Sequence, residues 1–372
     1  MRIAVSGMVA GDPRQGGASW AVLQYVLGLR RLGHEVLLVE PIGDADPETS
    51  ASADYLREVA ARFGLTHATL VDDAGRSAPI PAARLRELMG ETDLLLNVSG
   101  MLAAPELLEP VPVRAYLDLD PFFNQHWHLQ GADMRFAAHT HFVTVAAGIG
   151  EEGNEVPTLG LGWIETLPPV VLEEWPLAEE QPTLPFTTVG HWRSYGPIEH
   201  EGKRYGLRAH SLRELAALPG LCEAEFAIAL GIHESERTDI ELLSGNGWRL
   251  LDPAQVASSP DRYREFVRSS AAEIGVAKEG YVRSHSGWFS DRSACYLASG
   301  RPVVAQDTGF GRSLPVGEGL LAFDGVEEAA AAVEEVRARP DHHARTARGI
   351  AEELLDSDRV LGRLLEQLGG SD

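Results

Sequence analysis

Apolar residues along this chain fall into short runs that alternate between two periods. Residues 2–11, RIAVSGMVAG, form a nearly continuous apolar run ending in small residues, the pattern of a parallel strand buried on both faces. A glycine-rich turn, GDPRQGGAS, leads into SWAVLQYVLGLRRLG, whose apolar positions recur at helical spacing up to Gly33, with Ser19 as the expected N-cap. HEVLLVEP is the next strand, stopped by Pro41. Strand, helix and strand in this order predict a βαβ unit. The alternation continues with helices over 52–63 and 81–89 and strands over 67–71, in DLLLNVS, in VRAYLDLD, in FVTVAA and near 156–159.

The rhythm breaks at VVLEEWPLAEEQPTLP, where prolines and acids replace any apolar period; this predicts an interdomain linker at 173–185. Alternation then restarts: strand FTTVGHW, helix 211–218, strands AEFAIAL and WRLLDP, helix 260–271 and strand EIGVA. After these come helix 290–299, strands PVVAQD and GLLAF, and helix 326–338. The reading is α/β, with two Rossmann-like domains, 1–172 and 186–345, facing a central cleft. A helical tail over 346–372 is expected to pack back on the first domain. Ligands of open parallel sheets bind beyond the carboxyl ends of the strands, so strand-to-helix turns are where chemistry is expected.

Composition narrows the partners. The 372 residues are 44% hydrophobic, enough to bury full cores, and carry 32 basic against 55 acidic side chains, a formal charge of −23. That balance repels phosphate backbones and anionic lipid, which disfavours nucleic acid and membrane surfaces. It fits either a generally acidic composition or a cationic acceptor. Cys222 and Cys295 are far apart in apolar settings, which speaks for a reducing, cytoplasmic setting. No apolar run approaches the roughly 20 residues of a spanning helix.

Several turns carry candidate chemistry. Gly16 and Gly17 precede a helix, where backbone amides and the helix dipole suit an anion, although a plain βα turn uses glycine as well. Glu40 closes the second strand where a dinucleotide fold keeps its ribose-binding acid, but the G-x-G-x-x-G fingerprint is absent. Arg193, Lys203, Arg204 and Arg208 follow a strand in an otherwise acidic chain and form a candidate phosphate clamp, each alone being an ordinary surface charge. In GWFSDRSACYLASGRPVV, Ser290 is a credible N-cap. The amides of Asp291, Arg292 and Ser293 would point into the cleft, and the Asp291 carboxylate is placed for ribose hydroxyls. YLDLDPFFNQHWH ends a strand with Asp118 and Asp120, followed by His126, groups able to orient or deprotonate a sugar hydroxyl. The pairs His126-x-His128 and His139-x-His141 have strand-compatible metal spacing without a third ligand, so no metal is expected.

Three spaced segments resemble GT-B glycosyltransferases of the retaining, family-four-like (group 1) kind: GGASWAVLQYVLGLRRLGHEVLLVE, TTVGHW with the basic residues after it, and LASGRPVVAQDTGFGRSLPVGEGLLAF. The resemblance implies a metal-independent transferase without cofactor, its substrates a nucleoside-diphosphate sugar and a soluble small-molecule or glycoside acceptor. It implies that Gly16 and Gly17 approach the donor diphosphate, that Arg193 and Lys203 neutralise it, and that the turn from Gly287 to Asp291 supplies amides. The family carries two glutamates seven residues apart, and here Gly287 and Cys295 occupy those positions, with Asp291 between them as a possible replacement. A GT-B-shaped nucleotide-sugar epimerase and a catalytically silent nucleotide-binding partner are the alternatives.

Overall fold

The computed structural model describes residues 1–178 and 180–369. Glu179 of the expected linker and residues 370–372 of the expected tail lie outside the described residues. Two largely parallel sheets follow one another. The first has eight strands in the order β4-β3-β2-β1-β5-β6-β7-β8. They are β1 (Arg2–Ser6), β2 (Glu35–Pro41), β3 (Ala68–Val71), β4 (Ser77–Ala78), β5 (Leu94–Val98), β6 (Val113–Asp118), β7 (His141–Thr144) and β8 (Trp163–Glu165). β9 (Leu184–His191) opens the second half, and a small antiparallel hairpin follows it, β10 (Ile198–His200) with β11 (Lys203–Tyr205). β9 then joins β12 (Phe226–Gly231), β13 (Trp248–Leu251), β14 (Ser270–Gly275), β15 (Val303–Gln306) and β16 (Leu320–Phe323) in the order β13-β12-β9-β14-β15-β16. Every pairing in this second sheet is parallel, and its central strands are largely buried, with the polar Thr187, Thr188, Ser270 and Glu273 among their buried residues.

The expected alternation holds with local departures. The opening helix, Gly16–Arg31, begins three residues before Ser19, whose hydroxyl bonds to the carbonyls of Val9 and Gln15 from inside the helix rather than capping it. The strand expected near 156–159 is absent, and β8 forms instead at Trp163–Glu165. The stretch read as a strand end with two histidines is a short helix, Phe123–Leu129, and the β10–β11 hairpin carries no sequence signal long enough to announce it.

The halves share one apolar core. Trp20 of the opening helix packs on Trp175 at 5.0 Å between ring centroids, and its indole N–H donates to Pro260 O at 2.8 Å. Tyr263, Cys295, Tyr296 and Leu297 of the second half belong to the same buried cluster. The chain crosses back at the end. A helix over Pro340–Ile350 and a π-helical turn over Ala351–Leu355 lead to Ser357–Gly369, which packs on the opening helix. The outgoing and returning crossings are bonded to each other: Val170 N–H donates to Leu355 O at 2.7 Å and Ser357 N–H to Val170 O at 2.9 Å. Among the described residues, no helix is long and apolar enough to cross a membrane.

Candidate functional site

Strand order reverses once in each sheet, between β1 and β5 in the first and between β9 and β14 in the second. Such a reversal leaves a crevice outside the strand ends, where ligands of open α/β sheets sit. In the second sheet one guanidinium straddles it. Arg208, the first residue of the helix Arg208–Glu214, donates from Nε to Val276 O at 3.1 Å, just past β14, and from Nη1 to His191 O at 3.2 Å, at the end of β9. Gly190 allows this approach, since a Cβ there would lie 2.0 Å from Nη1. Two carbonyls fix the group, and no carboxylate among the described residues pairs with it. Burial, then the neighbouring Arg292, pushes its pKa down to about 10. A cation held in place but not neutralised is suited to an anion.

The opposite wall comes from the first sheet. Asp120, two residues past β6, accepts from Tyr195 Oη at 2.6 Å and from Lys278 Nζ at 2.8 Å through Oδ2, and from Tyr281 Oη through Oδ1. Lys278 stands three residues past β14 and is surrounded by the Phe123, Tyr195 and Tyr281 rings, 4.5–5.1 Å from their centroids. Burial lowers its pKa, with Asp120 opposing. Lys278, Tyr195 and Tyr281 were not singled out from sequence. A lysine at a strand-to-helix junction of an acidic chain was the available signal.

Asp118 has a different role from its neighbour. It is fully buried, and Oδ1 accepts from Asn124 Nδ2 at 2.6 Å and from Asp120 N–H at 3.1 Å, while Oδ2 accepts from Gln125 Nε2 at 2.7 Å and Thr144 Oγ1 at 3.1 Å. Burial pushes its carboxyl up to about 6. It fixes the turn that carries Asp120 and is itself closed off from solvent. His126 is likewise buried, 1% exposed, with its ring 4.2 Å from Phe122 and 4.5 Å from His200 between centroids. Its Nδ1 has no partner among the described residues. Burial, then His200, lowers its pKa to about 4.

This histidine is expected to make the fold acid-sensitive. Its folded pKa lies below the unfolded value of about 6.5, so its contribution is intact above pH 6.5 and is lost as pH falls through about 4. A pKa gap of that size is worth up to about 3 kcal/mol. His126→Phe, which keeps the ring and removes the titrating nitrogens, is expected to flatten urea stability between pH 7 and pH 4.5. An equal acid loss in both proteins would exclude His126 as its source.

The glycines expected at the donor meet the chain itself. Gly16 N–H donates to Ala257 O at 2.8 Å, a Cβ there would lie 2.3 Å from Ser259 O, and one at Gly17 would lie 3.0 Å from the Tyr263 ring. Gly287, at φ +72°, donates to Thr308 O at 2.6 Å, and a Cβ on it would lie 2.2 Å from Ala147 O. All three allow close contact between the two halves. Arg193 pairs with Glu236 at 2.6 Å, and Lys203 with Glu155 at 3.3 Å on the hairpin, both at the surface. Arg292 turns inward, where Nε donates to the buried Glu273 at 2.5 Å. Ser290 does cap the helix Asp291–Ala298, its Oγ accepting from Arg292 N–H at 3.2 Å. Asp291 stays partly exposed at that helix start with its carboxyl pKa raised by burial, and Ser293 is buried behind it.

Other readings resolve in the same way. The Glu40 carboxylate accepts from Ala10 N–H at 2.8 and 2.9 Å and from Gly11 N–H, so it shapes the glycine loop rather than awaiting a ribose. Cys295, at the position of a family glutamate, receives Gln24 Nε2 of the opening helix at 3.7 Å. His139 is held between Asn97 and Arg135 O, and among the described residues no group of three or more His, Cys, Asp or Glu is arranged to hold a metal.

The chain matches no protein-family model and no curated protein. Its fold has solved counterparts. It is similar to an alpha-glucosyltransferase (AGT) in complex with UDP, at 13% identity and TM-score 0.63 over 99% of this chain and 100% of that one. It is also similar to the sucrose-phosphate synthase of Thermosynechococcus elongatus, at 13% identity and TM-score 0.60 over 100% of both chains. A third is AviGT4, a glycosyltransferase involved in avilamycin A biosynthesis, at 15% identity and TM-score 0.57 over 100% of this chain and 99% of that one. Two α/β halves, each with its strand reversal at a shared cleft, and likeness over the whole length of these chains identify the architecture: the chain has the GT-B fold.

Proposed function

We propose that this protein is a nucleotide-sugar-dependent hexosyltransferase. Its donor would lie on the second domain (186–345), its acceptor on the first (1–172), and transfer would occur between them in the cytoplasm. One observation carries the reading: the Arg208 guanidinium, anchored by two strand-end carbonyls at the β9–β14 reversal and left without a carboxylate. Glycosyl transfer builds negative charge on the departing diphosphate, and fixed cations and amides stabilise that charge more in the transition state than in the ground state. Arg208 and the Ser290-capped helix start supply such groups, and Lys278 stands beside them, so the reading needs no metal at the leaving group.

A small-molecule or glycoside acceptor fits better than nucleic acid, although one structural counterpart is an alpha-glucosyltransferase bound to UDP and a 13-mer DNA. The charge of −23 opposes a polyanion. A silent nucleotide-binding partner is favoured by one observation only, the absence of carboxylates at Gly287 and Cys295.

Thermal unfolding with UDP, GDP, dTDP, ADP and NAD at equal concentrations tests the donor site. A ligand present at about 100 times its Kd adds roughly 2.7 kcal/mol to the folded state. A shift with one diphosphate is the expected result, and added acceptor should then release it with sugar transferred. No response to any diphosphate overturns the reading.

A further inference from the structure

Asp120 belongs to the first sheet, yet every side chain that holds it, Tyr195, Lys278 and Tyr281, belongs to the second half. Its two oxygens accept from two phenols and an ammonium, and the Asp120 side chain is only 22% exposed, that of Lys278 16%. These donors sit at the same strand reversal as Arg208: Val276, the Arg208 acceptor, is two residues from Lys278. Arg208 is close enough to oppose the charged form of Lys278, so two cations share the cleft floor with the Asp120 carboxylate.

Resting on the glycosyltransferase reading, we propose that Asp120 occupies the place of a donor phosphate on Lys278, so that donor binding displaces it and frees it to meet the acceptor hydroxyl. The geometry supports this on three grounds. The Lys278–Asp120 contact joins groups from opposite walls of the cleft, so it exists only while the cleft is closed on itself. The three donors converge on two oxygens, the arrangement a phosphate oxygen pair would meet. Asp118, bonded to the Asp120 amide at 3.1 Å, holds the turn and lets the neighbouring side chain rotate without unfolding it. Substrate order follows: the nucleotide sugar binds first, and the acceptor meets a free carboxylate only afterwards. Asp120 is then a gated catalytic residue, and Lys278 the group that holds the gate.

The competition is measurable without turnover. Calorimetric titration of the full chain with UDP and with inorganic pyrophosphate, which needs no base site, compares wild type with Asp120→Asn, Tyr195→Phe and Lys278→Met. Asp120→Asn removes the competing charge and is expected to tighten both ligands by about tenfold while abolishing transfer. Tyr195→Phe removes one donor to Asp120 but no charge and is expected to tighten them by about threefold. Lys278→Met is expected to weaken both by at least about tenfold. Thermal unfolding of each variant separates lost binding from lost folding. Unchanged or weaker UDP binding in folded Asp120→Asn, with wild type binding UDP normally, overturns the displacement and leaves the donor site standing. If neither wild type nor any variant binds a nucleoside diphosphate or pyrophosphate, the donor reading falls and the displacement falls with it.

Discussion

Arg208→Ala is expected to weaken nucleoside diphosphate binding by about 10- to 100-fold, the worth of one charge-assisted hydrogen-bonding group. The rate of sugar transfer should fall further, by about 10²–10³, because the leaving group carries more charge in the transition state than in the bound donor. The fold should tolerate the change, since the side chain bonds to carbonyls at strand ends and closes no buried ion pair. Arg208→Lys restores the charge but not the planar fork that bridges His191 O and Val276 O, so only partial recovery is expected. Calorimetry and initial rates on the same preparations check both statements. Wild-type affinity in Arg208→Ala would move the donor site away from the β9–β14 reversal.

Gly287→Ala should separate binding from transfer. Its φ of +72° disfavours any L side chain by about 1–2 kcal/mol, and its new methyl would lie 2.2 Å from Ala147 O and 2.5 Å from Ala147 N. Backbone cannot rotate away as a side chain can, so the 286–288 loop must leave the 146–148 segment by an ångström or more. The bridge between Ala146 and Trp288 then breaks and the cleft opens. A displacement of that size at reacting groups costs about 10²-fold in rate. Diphosphate binding should persist or tighten, because Arg208 and the Ser290-capped helix lie wholly within the second half. Gly247→Ala is the control: its φ is +96°, but the nearest atom to a new methyl is Pro219 Cβ at 3.3 Å, far from the other half. Small-angle scattering should show a larger radius for Gly287→Ala than for Gly247→Ala. Full transferase activity in Gly287→Ala would show that this contact is not part of the working state.

The fold was the more legible part of the sequence. Continuous apolar runs between glycine and proline stops located most strands within a few residues, because strands buried on both faces leave little choice of residue. The seven-residue helix at 123 escaped because two turns are too short to show a period, and its start at Phe122 takes φ +76°, a conformation no propensity announces for phenylalanine.

The site was legible only as a neighbourhood. The basic cluster after β9 was visible, but which cation faces the cleft depends on carboxylates far along the chain. Glu236 and Glu155 hold Arg193 and Lys203 at the surface, and Glu273 draws Arg292 into the core. Arg208 is left over by that pairing. The glycines show the complementary limit. Sequence tells that a backbone must come close at Gly16 and Gly287, and the folded chain tells that the close group is another carbonyl of the same protein.

The paired crossings at Val170 and Asp356 bear on how the cleft can open. Two domains tied by one strand of chain can swivel freely about it. Here two segments run side by side, joined by the bridge at Val170 and Asp356, so a hinge at this point has two pins: twisting or sliding would shear their hydrogen bonds, which leaves rotation about the line through them as the expected motion. A motion with one free axis returns the same atoms to the same places each time it closes. That repeatability is what allows Gly287 to meet Ala147, and Lys278 to meet Asp120, without any side chain having to search for its partner.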